Sequence, residues 1–404
     1  MININRIKAG LVIAILAFAL YSCDQPTSNS FENETTELSA PNLDSSYIVV
    51  FKSDPLENAT AKGQSIEGYR LEVLQSADVR QDRVFQNYNR AITGFAAELS
   101  DAQLSELRND PRVDFIEKDR IVQFAPPCGT PNGGPCDGDG GDDGGDTSAQ
   151  ETPYGITRVN GGATYSGTNV AWILDSGVDL DHPDLNVNAS LGFNAFTKGK
   201  DGKDLDDGNG HGTHVAGTIA AIDNSTGVIG VAAGATVVPV KILDSRGSGS
   251  YSGVIAGVDH VAANGSAGDV ANMSLGGPTS DALDTAVENA SSQGIYFVIA
   301  AGNSAEDANN SSPARANGQY IYTISAMDSN DQWASFSNFG NPPVDYAAPG
   351  VSVLSTWKEG GYNTISGTSM AAPHTAGVLL LGSGTTDGTV LGDPDGNADP
   401  ILVN

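Results

Sequence analysis

Val170-Ala-Trp-Ile-Leu-Asp175-Ser-Gly177 decides how the rest of the chain is read. An apolar run passes straight into an acid and then a glycine turn. That is the pattern of a buried strand whose end presents a side chain at the edge of a sheet. Apolar and helical segments alternate onward through 215–222, 236–242, 254–263, 270–273, 282–291, 296–301 and 320–325. This alternation predicts an α/β domain over 152–404, a parallel sheet covered by helices on both faces. In such sheets ligand sites gather at the carboxyl ends of the strands, which is where Asp175 falls.

Upstream lies a smaller unit. The β-rich run Tyr47-Ile-Val-Val-Phe51 opens it, and 79–90 carries apolar residues at helical spacing (Val79, Val84, Phe85, Tyr88). A strand is expected over 92–99. Ser100, with Gln103 three residues on, predicts a capped helix that Asp110-Pro111 ends. One more strand is expected over 113–122. Strands alternating with two helices in so short a stretch predict a small α+β sandwich over 46–123. Residues 124–151 form a Gly/Asp-rich linker containing Cys128 and Cys136, which an oxidising compartment would join as a disulfide. At the start, Arg6 and Lys8 precede the apolar run 11–20. That run suits a signal peptide over 1–23, followed by a polar tether over 24–45. Leu20-Tyr-Ser-Cys23 resembles a bacterial lipobox, so a lipid anchor at Cys23 is expected on an exported, secreted chain.

The 404 residues carry Asp+Glu 49 against Lys+Arg 20, a formal net charge of -29. Such a balance excludes nucleic-acid backbones and anionic membrane surfaces as partners, and it suits a soluble monomer.

Three segments carry chemistry, and each alone has a plain structural reading. Asp175 closes a strand, where a turn-forming aspartate is common. Gly208-Asn-Gly-His211-Gly-Thr-His214 puts two histidines at a helix start, but the His-Glu-x-x-His pattern of a zinc protease is absent. Ser369, in Ser366-Gly-Thr-Ser-Met-Ala-Ala-Pro-His374, stands at the start of an apolar helix, where serine usually caps. Together they form a set. A serine needs a base to take its proton, a histidine titrates in the right range, and an aspartate fixes the imidazole tautomer. The chain order Asp, His, Ser is that of subtilisin. A further strand ends in Ala300-Ala-Gly-Asn303, whose amide could donate to an oxyanion beside the Ser369 N–H. No Gly-x-Ser-x-Gly elbow surrounds Ser369, which argues against an esterase or lipase.

Ile-Leu-Asp-Ser-Gly-Val, Gly-His-Gly-Thr-His-Val-Ala-Gly and Gly-Thr-Ser-Met-Ala-Ala-Pro-His resemble the three active-site motifs of the subtilases, in the proteinase K-like branch. The resemblance implies a serine endopeptidase with Asp175, His211 and Ser369 as catalytic residues and Asn303 as oxyanion donor. It implies that Gly247, Ser248, Gly249 and Tyr251 form one wall of the substrate cleft, and Ser274, Leu275 and Gly276 the other. An extended polypeptide pairing between two such edges is the natural substrate. With no charge on Ser274–Gly277 or on 300–302, apolar or aromatic residues are expected before the scissile bond. Residues 46–123 resemble the inhibitor-type propeptide of the family, a ferredoxin-like domain that occupies the active site until it is cut off, with the cut expected within 122–152. No cofactor is implied for catalysis. Structural calcium is implied at Asp345 by its distance from the nucleophile, and Asp393-Pro-Asp-Gly-Asn-Ala-Asp399 clusters oxygen atoms of the kind calcium prefers. A competing expectation is a catalytically dead scaffold of the same fold acting as a binding protein; the four positions all hold chemically competent residues.

Overall fold

The computed structural model describes residues 43–123, 149–382 and 384–404. Cys23, Cys128 and Cys136 lie outside them, as do residues 1–23, read above as a signal peptide, and nearly all of 24–45 and 124–151.

The N-terminal unit contains β1 (Ser46–Phe51), α1 (Ser53–Ala61), α2 (Ile66–Ser76), β2 (Val84–Asn89), β3 (Thr93–Glu98), α3 (Asp101–Asn109), β4 (Val113–Lys118) and β5 (Ile121–Gln123). The first four strands form an antiparallel sheet in the order β2-β3-β1-β4. Val49, Phe51, Phe95 and Ala97 meet Tyr69, Val73, Leu104 and Leu107 of the helices in a separate core. The Ser100 capping box is present, with Gln103 N–H donating to Ser100 Oγ and the Ser100 N–H to Gln103 Oε1.

Two expectations are corrected. Residues 79–90 are not a helix, because 84–89 is a strand. The register shifts between Val84 and Gln86, and this bulge breaks the period-2 alternation into a spacing that imitates a helical face. The helix that packs on the sheet is α2 instead, with Tyr69, Val73 and Leu74 buried. The single strand expected over 113–122 is two, because the chain turns at Asp119 and Arg120 and β5 leaves the sheet altogether.

The larger unit runs through α4 (Tyr154–Arg158), β6 (Ala171–Asp175), α5 (His211–Ala220), β7 (Thr236–Lys241), β8 (Ser248–Ser250), α6 (Tyr251–Asn264), β9 (Val270–Met273), α7 (Asp281–Ser291) and β10 (Tyr296–Ala300). It continues through β11 (Ile321–Met327), β12 (Val344–Pro349), β13 (Val353–Trp357), β14 (Gly361–Ile365), α8 (Thr368–Leu381), β15 (Thr385–Thr389) and β16 (Pro400–Val403). The ten-stranded sheet has the order β15-β16-β12-β11-β10-β9-β6-β7, with short strands Asn186–Val187 and Phe193–Asn194 beyond β7. Every pairing is parallel except β15 with β16.

Alternation along each strand divides the core. Trp172, Leu174, Val240, Met273 and Phe297 face α6 and α7, while Ala171, Ile173, Val237, Val298 and Ile324 face α5 and α8. Both sides are therefore buried, which explains why the strands read as unbroken apolar runs. The carboxyl ends of β6 and β10 and the N-termini of α5 and α8 share one rim, and every motif side chain lies there.

Candidate active site

Asp175 is the last residue of β6 and His211 the first of α5, and both are fully buried. His211 Nδ1–H donates to the Asp175 carboxylate, 2.8 Å from Oδ1 and 2.9 Å from Oδ2. The Ser176 N–H also donates to Asp175 Oδ1, at 2.7 Å, and fixes the plane of the carboxylate. With Nδ1 as donor, the imidazole presents Nε2 as its basic nitrogen on the far side of the ring.

The start of α5 is held by an acid the sequence reading missed. Asp207 Oδ1 accepts the Asn209 and Gly210 N–H groups, both at 2.9 Å, and the Ser176 hydroxyl at 2.9 Å. Its Oδ2 accepts the Thr213 N–H and hydroxyl, at 2.9 and 2.7 Å. One carboxylate thus satisfies the open turn of the helix and ties it to the residue after Asp175. An acid four residues before a histidine at a helix start was the available signal. Gly210 caps α5 at φ 113 and packs against the Trp357 ring; a Cβ there would stand 2.3 Å from it, so only glycine fits.

His214 points the other way. Its Nε2–H donates to Val353 O at 3.0 Å, and burial pushes its pKa down to about 3. His374 donates from Nδ1 to Met370 O at 2.8 Å, and burial lowers it to about 4. Both are neutral structural histidines.

Ser369 lies in the first turn of α8, which packs against α5. It is clasped to the cleft wall. Its hydroxyl donates to Ser274 O at 3.2 Å, and the Ser274 hydroxyl donates back to Ser369 O at 2.7 Å. Asn272 Nδ2 holds the Ser274 hydroxyl at 2.8 Å. Asn303 Oδ1 accepts both the Thr368 N–H and the Thr368 hydroxyl, each at 2.9 Å. That arrangement turns Nδ2 away from Thr368. A Cβ built on Gly367 would stand 3.3 Å from Asn303 Nδ2 and 3.7 Å from Ser369 N, so the two donors border the same small space. A pair of N–H donors beside a serine hydroxyl is what a developing oxyanion requires.

The cleft is filled by the chain itself. β5 pairs antiparallel with β8, setting Gln123 opposite Ser248, Val122 opposite Gly249 and Ile121 opposite Ser250. On its other side Gln123 bridges to Gly276, two residues past Ser274. The Tyr251 N–H donates to Arg120 O at 3.0 Å. Val122 is fully buried, in the same cluster as Tyr251 and Leu275. The residues expected as two cleft walls therefore hold a peptide strand between them.

The N-terminal unit also grips α6 and α7. Asp119 accepts the Ser252 N–H at 3.1 Å and its hydroxyl, while Glu117 Oε2 accepts the Ala282 N–H at 3.1 Å. In return Asp259 of α6 accepts the N–H groups of Asn89, Arg90 and Ala91. These acids were invisible to motif reading, since capping across a domain boundary leaves no local pattern.

Asp345 stands apart from this chemistry. Its Oδ2 accepts the Thr323 N–H at 2.9 Å, and burial lifts its carboxyl to about 6. Among the described residues no three His, Cys, Asp or Glu side chains form a group that could hold a metal ion.

A buried Asp–His pair beside a helix-borne serine, with a peptide strand in the adjoining cleft, defines a serine peptidase held by its own N-terminal domain. The subtilase family pattern matches residues 166–383, and the peptidase inhibitor I9 pattern matches residues 46–125. The chain belongs to the subtilase family of serine endopeptidases and carries that family's inhibitor-type propeptide domain. It is 42% identical to alkaline serine exoprotease A of Vibrio alginolyticus, an alignment covering 83% of this chain and 60% of that one. It is 38% identical to an extracellular serine proteinase of a Thermus species, over 92% of this chain and 88% of that one. It is 39% identical to subtilisin E of Bacillus subtilis, over 83% and 79%. Among solved structures, a cold-adapted subtilisin-like serine proteinase aligns with a TM-score of 0.53 at 37% identity, covering 62% of this chain and 97% of that one.

Proposed function

We propose that the protein is an exported endopeptidase made as a self-inhibited zymogen, in which Ser369 attacks the peptide carbonyl and His211 is the general base. Asp175 holds the imidazole in its Nδ1–H tautomer and stabilises the imidazolium. Ser369 N and Asn303 Nδ2 receive the oxyanion. His211 then returns the proton to the leaving amine, and water repeats the sequence on the acyl-enzyme. Substrate pairs with Gly247–Tyr251 and Ser274–Gly276 as an added strand, so recognition rests on main-chain hydrogen bonds and the enzyme accepts many sequences. The uncharged walls favour apolar or aromatic residues before the scissile bond. The observation that carries this reading is β5 seated between those walls, with the wall residue Ser274 bonded to the Ser369 hydroxyl.

Replacing Asn303 by Ala is expected to lower kcat by roughly 10²–10³-fold with KM little changed. That magnitude is established on a subtilisin and carried over to this relative. Peptide kinetics check it; a change confined to KM would remove Asn303 from the oxyanion site.

Export follows from Arg6, Lys8 and the apolar run after them, and from the extracellular proteinase among the relatives. A lipid on Cys23 would tether only the precursor, since a cut beyond residue 122 frees the catalytic unit. Calcium at Asp345 is a structural proposal. Among the described residues no basic side chain offsets the burial of this carboxylate, and a divalent ion completed by main-chain oxygens would hold it ionised.

The test of the whole reading is to express the wild-type chain, follow intact mass, and assay casein. The expected result is loss of a fragment ending within 122–152, followed by casein hydrolysis. A chain that stays full length and inert after refolding with calcium would favour the inactive scaffold.

A further inference from the structure

Asp175 and His211 meet across the gap between the end of β6 and the start of α5, 36 residues apart in the chain. Two hydroxyls bridge that gap in opposite directions. The Ser176 hydroxyl, on the β6 side, accepts the Gly212 N–H of α5 at 3.1 Å. The Thr213 hydroxyl, on α5, accepts the Asp179 N–H from the β6 side at 3.0 Å. Both hydroxyl protons go to one carboxylate: Ser176 donates to Asp207 Oδ1 at 2.9 Å and Thr213 to Asp207 Oδ2 at 2.7 Å. A hydroxyl is a rotor with one proton and two lone pairs. Committing each proton to Asp207 aims a lone pair of each hydroxyl across the gap. All three side chains are buried, so water competes little for these bonds. The fit leaves no slack. A Cβ on Gly212 would stand 2.1 Å from Gly177 O and 3.1 Å from Asp175 Cβ, so α5 backs directly onto the residues that carry the acid.

We propose that Asp207 is a positioning residue for catalysis: by orienting the Ser176 and Thr213 hydroxyls it sets the approach of α5 to β6, and with it the bond from His211 Nδ1–H to the Asp175 carboxylate. This role rests on the reading of Asp175, His211 and Ser369 as the triad. The site calls for a carboxylate because the five groups it accepts from are all donors: the Asn209, Gly210 and Thr213 N–H groups and the two hydroxyls. Asparagine keeps the shape but offers one oxygen and one NH₂ group. Three donors at Oδ1 against two at Oδ2 keep the amide oxygen at Oδ1. The amide nitrogen then faces Thr213, whose N–H loses its acceptor and whose hydroxyl must turn. The first turn of α5 loosens at the point where it carries His211. Catalytic geometry is sensitive on this scale, since a displacement of about 1 Å away from the chemistry can cost about a hundredfold in rate.

The test compares the wild type with Asp207→Asn, Thr213→Val and the double variant. Thr213→Val keeps the shape and the helix N–H and removes only the hydroxyl. For kinetics, each variant is cut in trans by tagged wild-type enzyme, which is then removed together with the freed propeptide. Each single variant is expected to lower kcat by about tenfold to a hundredfold, with KM within about twofold of wild type. The double variant should lose little more than the worse single one, because either change opens the same clasp. The far-downfield NMR resonance of the His211 Nδ1 proton, recorded on full-length chains carrying Ser369→Ala, should move upfield or vanish in each variant. Thermal melting of the same samples checks that they are folded; should Asp207→Asn not fold, Thr213→Val decides on the same readouts. A merely structural Asp207 would lower the melting temperature and leave the resonance and kcat in place. That result, a loss confined to KM, or losses that multiply in the double variant would overturn the proposal. An inactive wild type would remove the triad reading itself, and the role of Asp207 with it.

Discussion

Ser369→Ala is expected to abolish both activities at once: the chain stays full length, and kcat on peptide substrates falls by about 10⁶-fold, the loss measured for the nucleophile of a subtilisin. The structure explains why the variant should still fold. The Ser369 hydroxyl makes a 3.2 Å bond to Ser274 O, whereas its main chain keeps the stronger tie, the Ser274 hydroxyl at 2.7 Å. Alanine removes a single hydroxyl from a rim position and leaves the α8 start, the Asn303–Thr368 pair and β5 in place. Unchanged melting with loss of processing is therefore the signature. If the variant is processed but inactive on casein, the nucleophile stands and another protease performs the maturation cut. If it retains more than about a hundredth of wild-type activity, Ser369 is not the nucleophile.

Asp175→Asn carries the second largest effect, a drop in kcat of about 10⁴-fold with KM little changed, by the tautomer argument established for serine proteases. The Ser176 N–H at 2.7 Å would keep the carboxamide oxygen at the Oδ1 position, 2.8 Å from His211 Nδ1. The amide nitrogen would then stand at the Oδ2 position, 2.9 Å from the same ring nitrogen. Where Asp175 offers Nδ1 two acceptors, asparagine offers one acceptor and one donor, so the Nδ1–H tautomer loses its preference and the Nε2–H form, which lacks the lone pair that must take the Ser369 proton, becomes populated. The variant should be isosteric and folded. A loss below about tenfold would show that Asp175 does not set the tautomer.

Much of this was legible in the sequence, for identifiable reasons. Parallel strands buried on both faces, such as 171–175 and 270–273, read as continuous apolar runs bounded by glycine and polar residues. The motif residues Asp175, His211 and Ser369 are local to strand ends and helix starts, where a short pattern suffices. What escaped was non-local or disguised. The bulge at Val84–Gln86 gave a strand the spacing of a helix. Asp119 and Asp259 act across an interface between segments over a hundred residues apart. No motif marks Asp207: four of its donors gather around it only once α5 starts, and the fifth, the Ser176 hydroxyl, only once α5 lies beside β6.

The propeptide contacts explain how one chain is both protease and inhibitor. β5 makes the same kind of pairing a substrate would, while Asp119 and Glu117 hold the starts of α6 and α7. Inhibition then combines a strand contact with a domain contact, so cutting the chain after β5 removes the tether but not the domain. Release would require the freed propeptide to dissociate or be digested.

The central claim is that Ser369 is activated by the His211–Asp175 pair once the cleft is cleared. The most direct measurement is stoichiometric labelling of the processed enzyme with a phosphonofluoridate, followed by peptide mapping. The account predicts one equivalent on the peptide containing Ser369, with labelling suppressed in His211→Ala that has been cut in trans by the wild-type enzyme and freed of its propeptide. An enzyme that digests casein but is labelled elsewhere, or equally fast without His211, would contradict it.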